Sequence, residues 1–129
     1  IQDHLFVGIF PALQEAGIAA LSDPKSEEAV AQLNATYDSR RDAFVQAAAK
    51  IGWQAFPSRG SFYAWMPVPE GYTSESFADL LLEKAHVAVA PGKGFGPAGD
   101  AYVRIGLLVE PERLVEAVNR IANLHLFNN

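Results

Sequence analysis

Cysteine is absent from this chain of 129 residues, and its absence excludes several kinds of chemistry. Without a thiol, the chain has no disulfide bond, no zinc site built on thiolates and no cysteine nucleophile. A chain without disulfides fits a reducing compartment. We therefore expect a cytoplasmic protein whose fold depends on packing rather than on cross-links.

Positive charge and long apolar runs are also scarce. Ten Lys and Arg against 15 Asp and Glu give a formal net charge of −5. No basic block is available to hold a phosphate backbone, so we expect no nucleic-acid partner. No run approaches the roughly 18 apolar residues of a membrane-spanning helix, so we expect no membrane partner. The chain opens on Ile1 with neither an initiator Met nor a signal-peptide pattern, and we expect a piece of a longer protein.

Apolar residues make up 50% of the chain, enough for the core of one packed domain. Their spacing predicts the element order α-α-β-β-α-β-β-α. The predicted strands are 53–56, 61–66, 87–90 and 102–108. The predicted helices are 9–21, a long helix that Asp23-Pro24 or Ser26 can cap and Gly52 closes, a third capped by Thr73 or Ser74, and a last one from Pro111. This order favours a two-layer α/β (α+β) sandwich, in which a small mixed or antiparallel sheet has helices on one face.

Arg104 is the most informative residue of the predicted strands. Alternation by two turns its neighbours Val103 and Ile105 toward the helices and leaves Arg104 on the opposite face. An unpaired guanidinium is costly to bury, and its planar fork suits a carboxylate. From the strand alone two interpretations stay open: an arginine that binds an anion, or one that meets water or an internal salt bridge.

A glycine-rich loop precedes the Arg104 strand. Residues 94–99 match the dinucleotide-binding pattern G-x-G-x-x-G, but a strand follows them instead of the helix that would hold a pyrophosphate. We therefore reject a dinucleotide site. The loop carries Phe95 and Lys93 and is either an ordinary connection or part of a site.

Other polar residues give weak signals. His4, His86 and His125 lack metal-ligand spacing, and Ser61 lacks the glycines of a nucleophile elbow, so no metal site and no serine nucleophile is predicted. Arg40-Arg41-Asp42 is expected on a solvated helix face with local pairs.

Five segments, taken in order, resemble the C-terminal part of class I and II aminotransferases, which use pyridoxal 5′-phosphate. They are Gly8-Ile9-Phe10-Pro11-Ala12-Leu13-Gln14, Tyr37-Asp38-Ser39-Arg40-Arg41-Asp42, Gly60-Ser61-Phe62-Tyr63-Ala64-Trp65, Pro91-Gly92 with Phe95-Gly96, and Tyr102-Val103-Arg104-Ile105. Each motif is loose by itself, but five at plausible spacings over nearly the whole chain are specific.

The resemblance implies that residues 1–129 are the small C-terminal domain, with 1–22 as the helix that connects it to an absent large domain. It implies that Arg104 binds the α-carboxylate of an amino-acid substrate and that the loop at Phe95 and Gly96 lines the cleft. The implied reaction moves an amino group from an amino acid to a 2-oxo acid. The implied partners are these substrates, the protein's own large domain and the second subunit of a homodimer.

One feature of the family has no counterpart here. None of the four lysines, Lys25, Lys50, Lys84 and Lys93, lies in the family's Schiff-base motif. We therefore expect no catalytic or cofactor-binding residue in this chain, pyridoxal phosphate only in the complete enzyme, and no turnover by the chain alone. Two alternatives remain: the small domain of a related pyridoxal-phosphate lyase or synthase, and a stand-alone, non-catalytic interaction module.

Overall fold

A computed structural model describes residues 8–56, 58 and 60–127. The chain divides into two compact units, Ile1–Ala35 and Thr36–Asn129. The helices are α1 (Pro11–Ser22), α2 (Ser26–Lys50), α3 (Ser74–Leu80) and α4 (Pro111–Ala122). The strands are β1 (Tyr63–Pro67), β2 (Ala90–Pro91) and β3 (Tyr102–Gly106). Among the described helices, none is long and apolar enough to cross a membrane.

The first unit contains α1 and the beginning of α2. Pro11 stands in the first turn of α1, where its missing N–H leaves no helical bond unmade. The Asp23 carboxylate accepts from the backbone N–H of Lys25 at 2.8 Å, and the Ser26 hydroxyl donates to the carbonyl of Ala20 at 2.6 Å. No residue of α1 is buried, and Leu21 is 91% exposed.

The second unit is built on a three-stranded antiparallel sheet in the order β1-β3-β2. Arg104, in the central strand, lies opposite Trp65 on one side and Ala90 on the other. The predicted small sheet is confirmed, and all of its pairs are antiparallel.

The core lies between one face of this sheet and the helices. Met66 and Val103 of the sheet, and Leu107 directly after β3, are fully buried. They join one apolar cluster with side chains from the second half of α2, from α3 and from α4: Phe44, Ala47, Ala48, Phe77, Leu114, Val118 and Ile121. The predicted placement of helices on one sheet face is confirmed.

The predicted strand at 53–56 is wrong. Those residues form no strand, because the segment is held by the side chain of Trp53 instead of by a backbone ladder. The indole is 1% exposed, and its N–H donates to the carbonyl of Pro67 at 2.8 Å. The predicted strands at 87–90 and 102–108 are also shorter in the structure, as β2 and β3.

The helix ends follow local rules that the sequence carries. After α2, Gly52 takes a left-handed φ of 81°, and the Trp53 N–H returns to the carbonyl of Ala48 at 3.0 Å. Thr73, not Ser74, caps α3, since its hydroxyl accepts from the Ser76 N–H. A π-helical turn, Leu81–Ala85, then extends α3.

Candidate functional site

Arg104 projects from the middle of the central strand on the face away from the helices. The neighbouring Val103 and Ile105 are 0% and 8% exposed, whereas Arg104 is partly exposed. The face predicted from alternation is therefore correct.

Two aromatic rings flank the Arg104 guanidinium. Its Cζ lies 4.1 Å from the ring centroid of Tyr63 and 4.1 Å from that of Phe95. Tyr63 comes from β1, opposite Gly106, and Phe95 comes from the loop between β2 and β3. Among the ion pairs of the described residues, none involves Arg104. The structure thus gives no internal salt bridge there and leaves the N–H edge of the guanidinium without a described carboxylate.

The glycine-rich loop folds back on itself, so that Gly92 lies against Gly99. It consists of two 3₁₀ turns, Gly92–Phe95 and Pro97–Ala101, and β3 follows directly. A Cβ on Gly92 would lie 2.1 Å from the Gly99 carbonyl oxygen, and one on Gly99 would lie 2.1 Å from that of Gly92. Gly96 between the turns has a φ of 124°. The glycines therefore serve close backbone approach and a sharp bend.

A polar cluster fastens this loop to the beginning of α3. Asp100 Oδ1 accepts from the Ser74 hydroxyl at 2.7 Å and from the Ser74 N–H at 3.2 Å, and the Ser74 oxygen accepts from the Lys93 N–H at 3.2 Å. Ser74 is completely buried. The hydrogen bond from the Ser74 side chain is the main cause that lowers the pKa of Asp100, with a further contribution from the charge of Lys93. The pairing of Lys93 with Glu75 at 2.8 Å raises the pKa of Lys93.

Replacing Ser74 with alanine is expected to destabilise the fold in a pH-dependent way. Asp100 has a lowered pKa in the folded state, so its contribution to stability is present above the ordinary value of 3.8 and is lost as the pH falls through the lowered pKa. The difference in unfolding free energy between wild type and Ser74→Ala should therefore be largest near neutral pH and should shrink below 3.8. Denaturant unfolding over a pH series measures it.

Ser76→Ala is the matched control for this pH series. It removes a hydroxyl from the same helix turn, where Ser76 contacts Thr73 and not Asp100. The loss of unfolding free energy caused by Ser76→Ala should change less over the same pH series than the loss caused by Ser74→Ala. A Ser74→Ala penalty that stays constant down to acid pH would show that Asp100 gains nothing from Ser74.

A shallow aromatic cavity of about 460 Å³ adjoins the Arg104 site. Its walls include Phe56, Trp65, Phe95 and Tyr102, so Phe95 contacts both the guanidinium and the cavity. Trp65 and Phe95 pack edge to face with their ring centroids 5.6 Å apart. Phe56 and Tyr102 pack in the same way, also with centroids 5.6 Å apart.

The sequence analysis singled out Arg104 and Phe95 as candidates but not Tyr63, whose ring also contacts Arg104. Alternation already placed aromatics on both sheet faces. The contact with Arg104, however, depends on the antiparallel register that sets Tyr63 opposite Gly106, two positions from Arg104. Gly96, predicted with Phe95, bends the loop and has no side chain with which to contact a ligand.

The serine and the histidines that gave weak signals in the sequence can now be placed. The Ser61 hydroxyl accepts from the Tyr63 N–H at 3.1 Å. His86 and His125 both occupy left-handed backbone positions, and His4 lies outside the described residues. No three metal-ligating side chains cluster within the part of the chain that the structure describes.

The expectation of local ion pairs at 40–41 is correct for Arg41 and wrong for Arg40. Arg41 pairs with Asp38 and Asp42 on its own helix. Arg40 is 14% exposed and reaches Glu110, at the beginning of α4, at 2.6 Å. Arg40 and Glu110 are 70 positions apart in the sequence, so an argument about the surface of one helix does not predict their contact.

The chain matches the family model for aminotransferase class I and II over residues 2–121, and it therefore belongs to that family. It is 57% identical over 126 residues to the L-glutamine--4-(methylsulfanyl)-2-oxobutanoate aminotransferase of Bacillus subtilis (strain 168). It is 44% identical over 121 residues to the LL-diaminopimelate aminotransferase of Moorella thermoacetica. These alignments cover 98% and 94% of this chain but 31% and 30% of the relatives.

Solved structures agree with this membership. The structure of apo-BacF from Bacillus subtilis superposes with a TM-score of 0.87 at 42% identity, over 99% of this chain and 33% of that one. An aromatic aminotransferase from Pyrococcus horikoshii OT3 gives a TM-score of 0.77 at 37% identity, over 81% of this chain and 28% of that one. The chain thus spans about a third of the length of the proteins it matches.

Proposed function

We propose that this chain is the C-terminal, substrate-binding part of an aminotransferase and that Arg104 binds the α-carboxylate of the substrates. The observation that carries the proposal is the Arg104 guanidinium, held between two rings on the open sheet face with no described carboxylate paired to it. Two parallel N–H donors fit the two oxygens of a carboxylate. An amino acid and a 2-oxo acid both carry that group, so one arginine serves both directions of amino transfer.

The described residues do not form a pyridoxal-phosphate site by themselves. All four lysines are exposed, and Lys93, the one in the loop, pairs with Glu75, which raises its pKa and keeps it protonated. A lysine that attacks an aldehyde must be neutral. We therefore assign the cofactor and its lysine, which the family resemblance implies, to the remainder of the complete enzyme.

The domain assignment belongs to the same proposal. We assign residues 1–129 to the small domain and residues 1–22 to the connection with a large domain. The absence of any buried residue in α1 supports a connecting role, because its apolar side chains are uncovered within the described chain. A homodimer and a cytoplasmic location complete the proposal, and the lack of cysteine supports the latter.

The test of the reaction is an amino-transfer assay on the complete protein. Because the Bacillus subtilis relative is named for L-glutamine and 4-(methylsulfanyl)-2-oxobutanoate, that pair is the first to assay. An aminotransferase consumes the amino acid only when an acceptor 2-oxo acid is present. Consumption without an acceptor would instead support the alternative, a related lyase or synthase. Consumption of no amino acid under either condition would contradict both.

The 129-residue chain alone is expected to retain no pyridoxal phosphate and to turn over no substrate. The physical reason is that all four lysines are exposed and that none lies in the family's Schiff-base motif. After incubation with the cofactor and desalting, the chain should show no absorption band of bound pyridoxal phosphate, whereas the complete protein should show one. A band that persists on the chain would contradict the assignment of the cofactor lysine to the missing part.

A further inference from the structure

We infer that Tyr63 and Phe95 are positioning residues for Arg104, which hold its guanidinium between their rings so that its N–H edge faces the carboxylate. The inference rests on the proposed function and adds to it the two residues that prepare the arginine for binding.

The geometry is that of a cation between two π faces. Both ring centroids lie 4.1 Å from Arg104 Cζ, well within the range of a cation–π interaction. Tyr63 and Phe95 make their ring contacts with other aromatics, Phe62 and Trp65 respectively, instead of with each other. Both rings contact Cζ, but they do not contact each other. They therefore flank the guanidinium from different sides.

This arrangement orders the arginine without using its hydrogen bonds. A ring face attracts the cation but accepts none of its N–H donors in the guanidinium plane. An acidic neighbour would hold the side chain equally well but would compete with the substrate for the same donors. The two rings therefore lower the entropy that Arg104 loses on binding and leave its fork free.

Each ring is itself supported. Phe62 lies 4.5 Å from Tyr63 between centroids, and Trp65 presents its ring at 82° to Phe95. Phe95 also depends on the loop that Ser74 and Asp100 fasten to α3. The two flanking rings come from different elements, β1 and the loop, so each ring can be replaced while the other stays in place.

The experiment replaces each ring by leucine in the complete enzyme and measures KM and kcat for the amino-acid donor. Tyr63→Leu and Phe95→Leu should each raise KM by about 3- to 10-fold, with kcat changed by less than about twofold. Tyr63→Phe and Phe95→Tyr retain a ring face and should keep KM within about twofold of wild type. Tyr72→Leu is the matched control, because the Tyr72 ring contacts Phe77 and not Arg104.

The same substitutions in an Arg104→Ala background separate a positioning role from a general structural one. If the rings act through Arg104, Phe95→Leu and Tyr63→Leu should add no further increase in KM once the guanidinium is gone. If Arg104→Ala raises KM but the leucine variants leave it unchanged, or add the same factor in both backgrounds, the inference is overturned while the proposed function stands.

The remaining outcomes are also decisive. An Arg104→Ala enzyme with an unaltered KM would overturn the proposed function itself and the inference with it. Thermal unfolding of each variant checks the fold. If Phe95→Leu does not fold, the comparison is made with Tyr63→Leu, alone and in the Arg104→Ala background. If Tyr63→Leu raises KM by the same factor in both backgrounds, the inference is overturned.

Discussion

Replacing Arg104 with alanine in the complete enzyme is expected to raise the KM for amino acids by about 30- to 1,000-fold, which corresponds to about 2–4 kcal/mol. The reason is that the substrate carboxylate then loses two charge-assisted hydrogen bonds from a guanidinium that two rings flank at 4.1 Å. Steady-state kinetics with varied amino acid at saturating 2-oxo acid measure the change.

Arg104→Lys should restore little of this loss, because an ammonium keeps the charge but not the planar fork. Arg113→Ala is the matched control, since Arg113 is an exposed arginine that pairs with Glu116 on its own helix. It should leave KM within about twofold of wild type, as expected for an exposed ion pair. An Arg104→Ala enzyme that binds amino acids like the wild type would refute the carboxylate role.

Replacing Trp53 with alanine is expected to lower the unfolding free energy by about 3–5 kcal/mol. The indole is 1% exposed, meets the rings of Phe44 and Phe77 edge-on, and stacks on Phe127 with centroids 5.0 Å apart. Removing the indole leaves a cavity among these rings and takes the hydrogen-bond donor away from the Pro67 carbonyl. The fold therefore loses both apolar contact and a hydrogen bond. Denaturant unfolding of the 129-residue chain measures the cost.

Trp53→Phe separates the two losses. It keeps most of the apolar contact but removes the hydrogen bond to Pro67, and its cost should therefore be clearly below that of alanine. Leu82→Ala, at a side chain that is 54% exposed, should change the unfolding free energy by less than about 0.5 kcal/mol. A Trp53→Ala cost similar to that of Leu82→Ala would show that Trp53 is no anchor of the core.

Local rules predicted the helices and the central strand well. Pro11 and Pro111 both stand in the first turn of a helix, Gly52 ends α2 in a left-handed conformation, and Thr73 caps α3. The alternation around Arg104 gave the correct face, because a strand turns successive side chains to opposite sides wherever it pairs. These features depend on residues within a few positions of one another.

The failures came from residues that are distant in the chain. Residues 53–56 have the composition of a strand, but Trp53 is an anchor for Pro67 and the core, and β-forming composition does not supply a partner strand. Arg40 was expected to pair locally and instead pairs with Glu110. Tyr63 was missed because its contact with Arg104 depends on how β1 pairs with β3.

The sequence by itself determined the helices, the central strand, the face on which Arg104 lies and the likeness to the aminotransferase family, since periodicity, caps and ordered motifs can be read along the chain. Only the tertiary structure decided what surrounds that arginine. The rings of Tyr63 and Phe95 meet its guanidinium through strand pairing and a folded-back loop, and these bring together residues up to about 40 positions apart by the burial of a shared core.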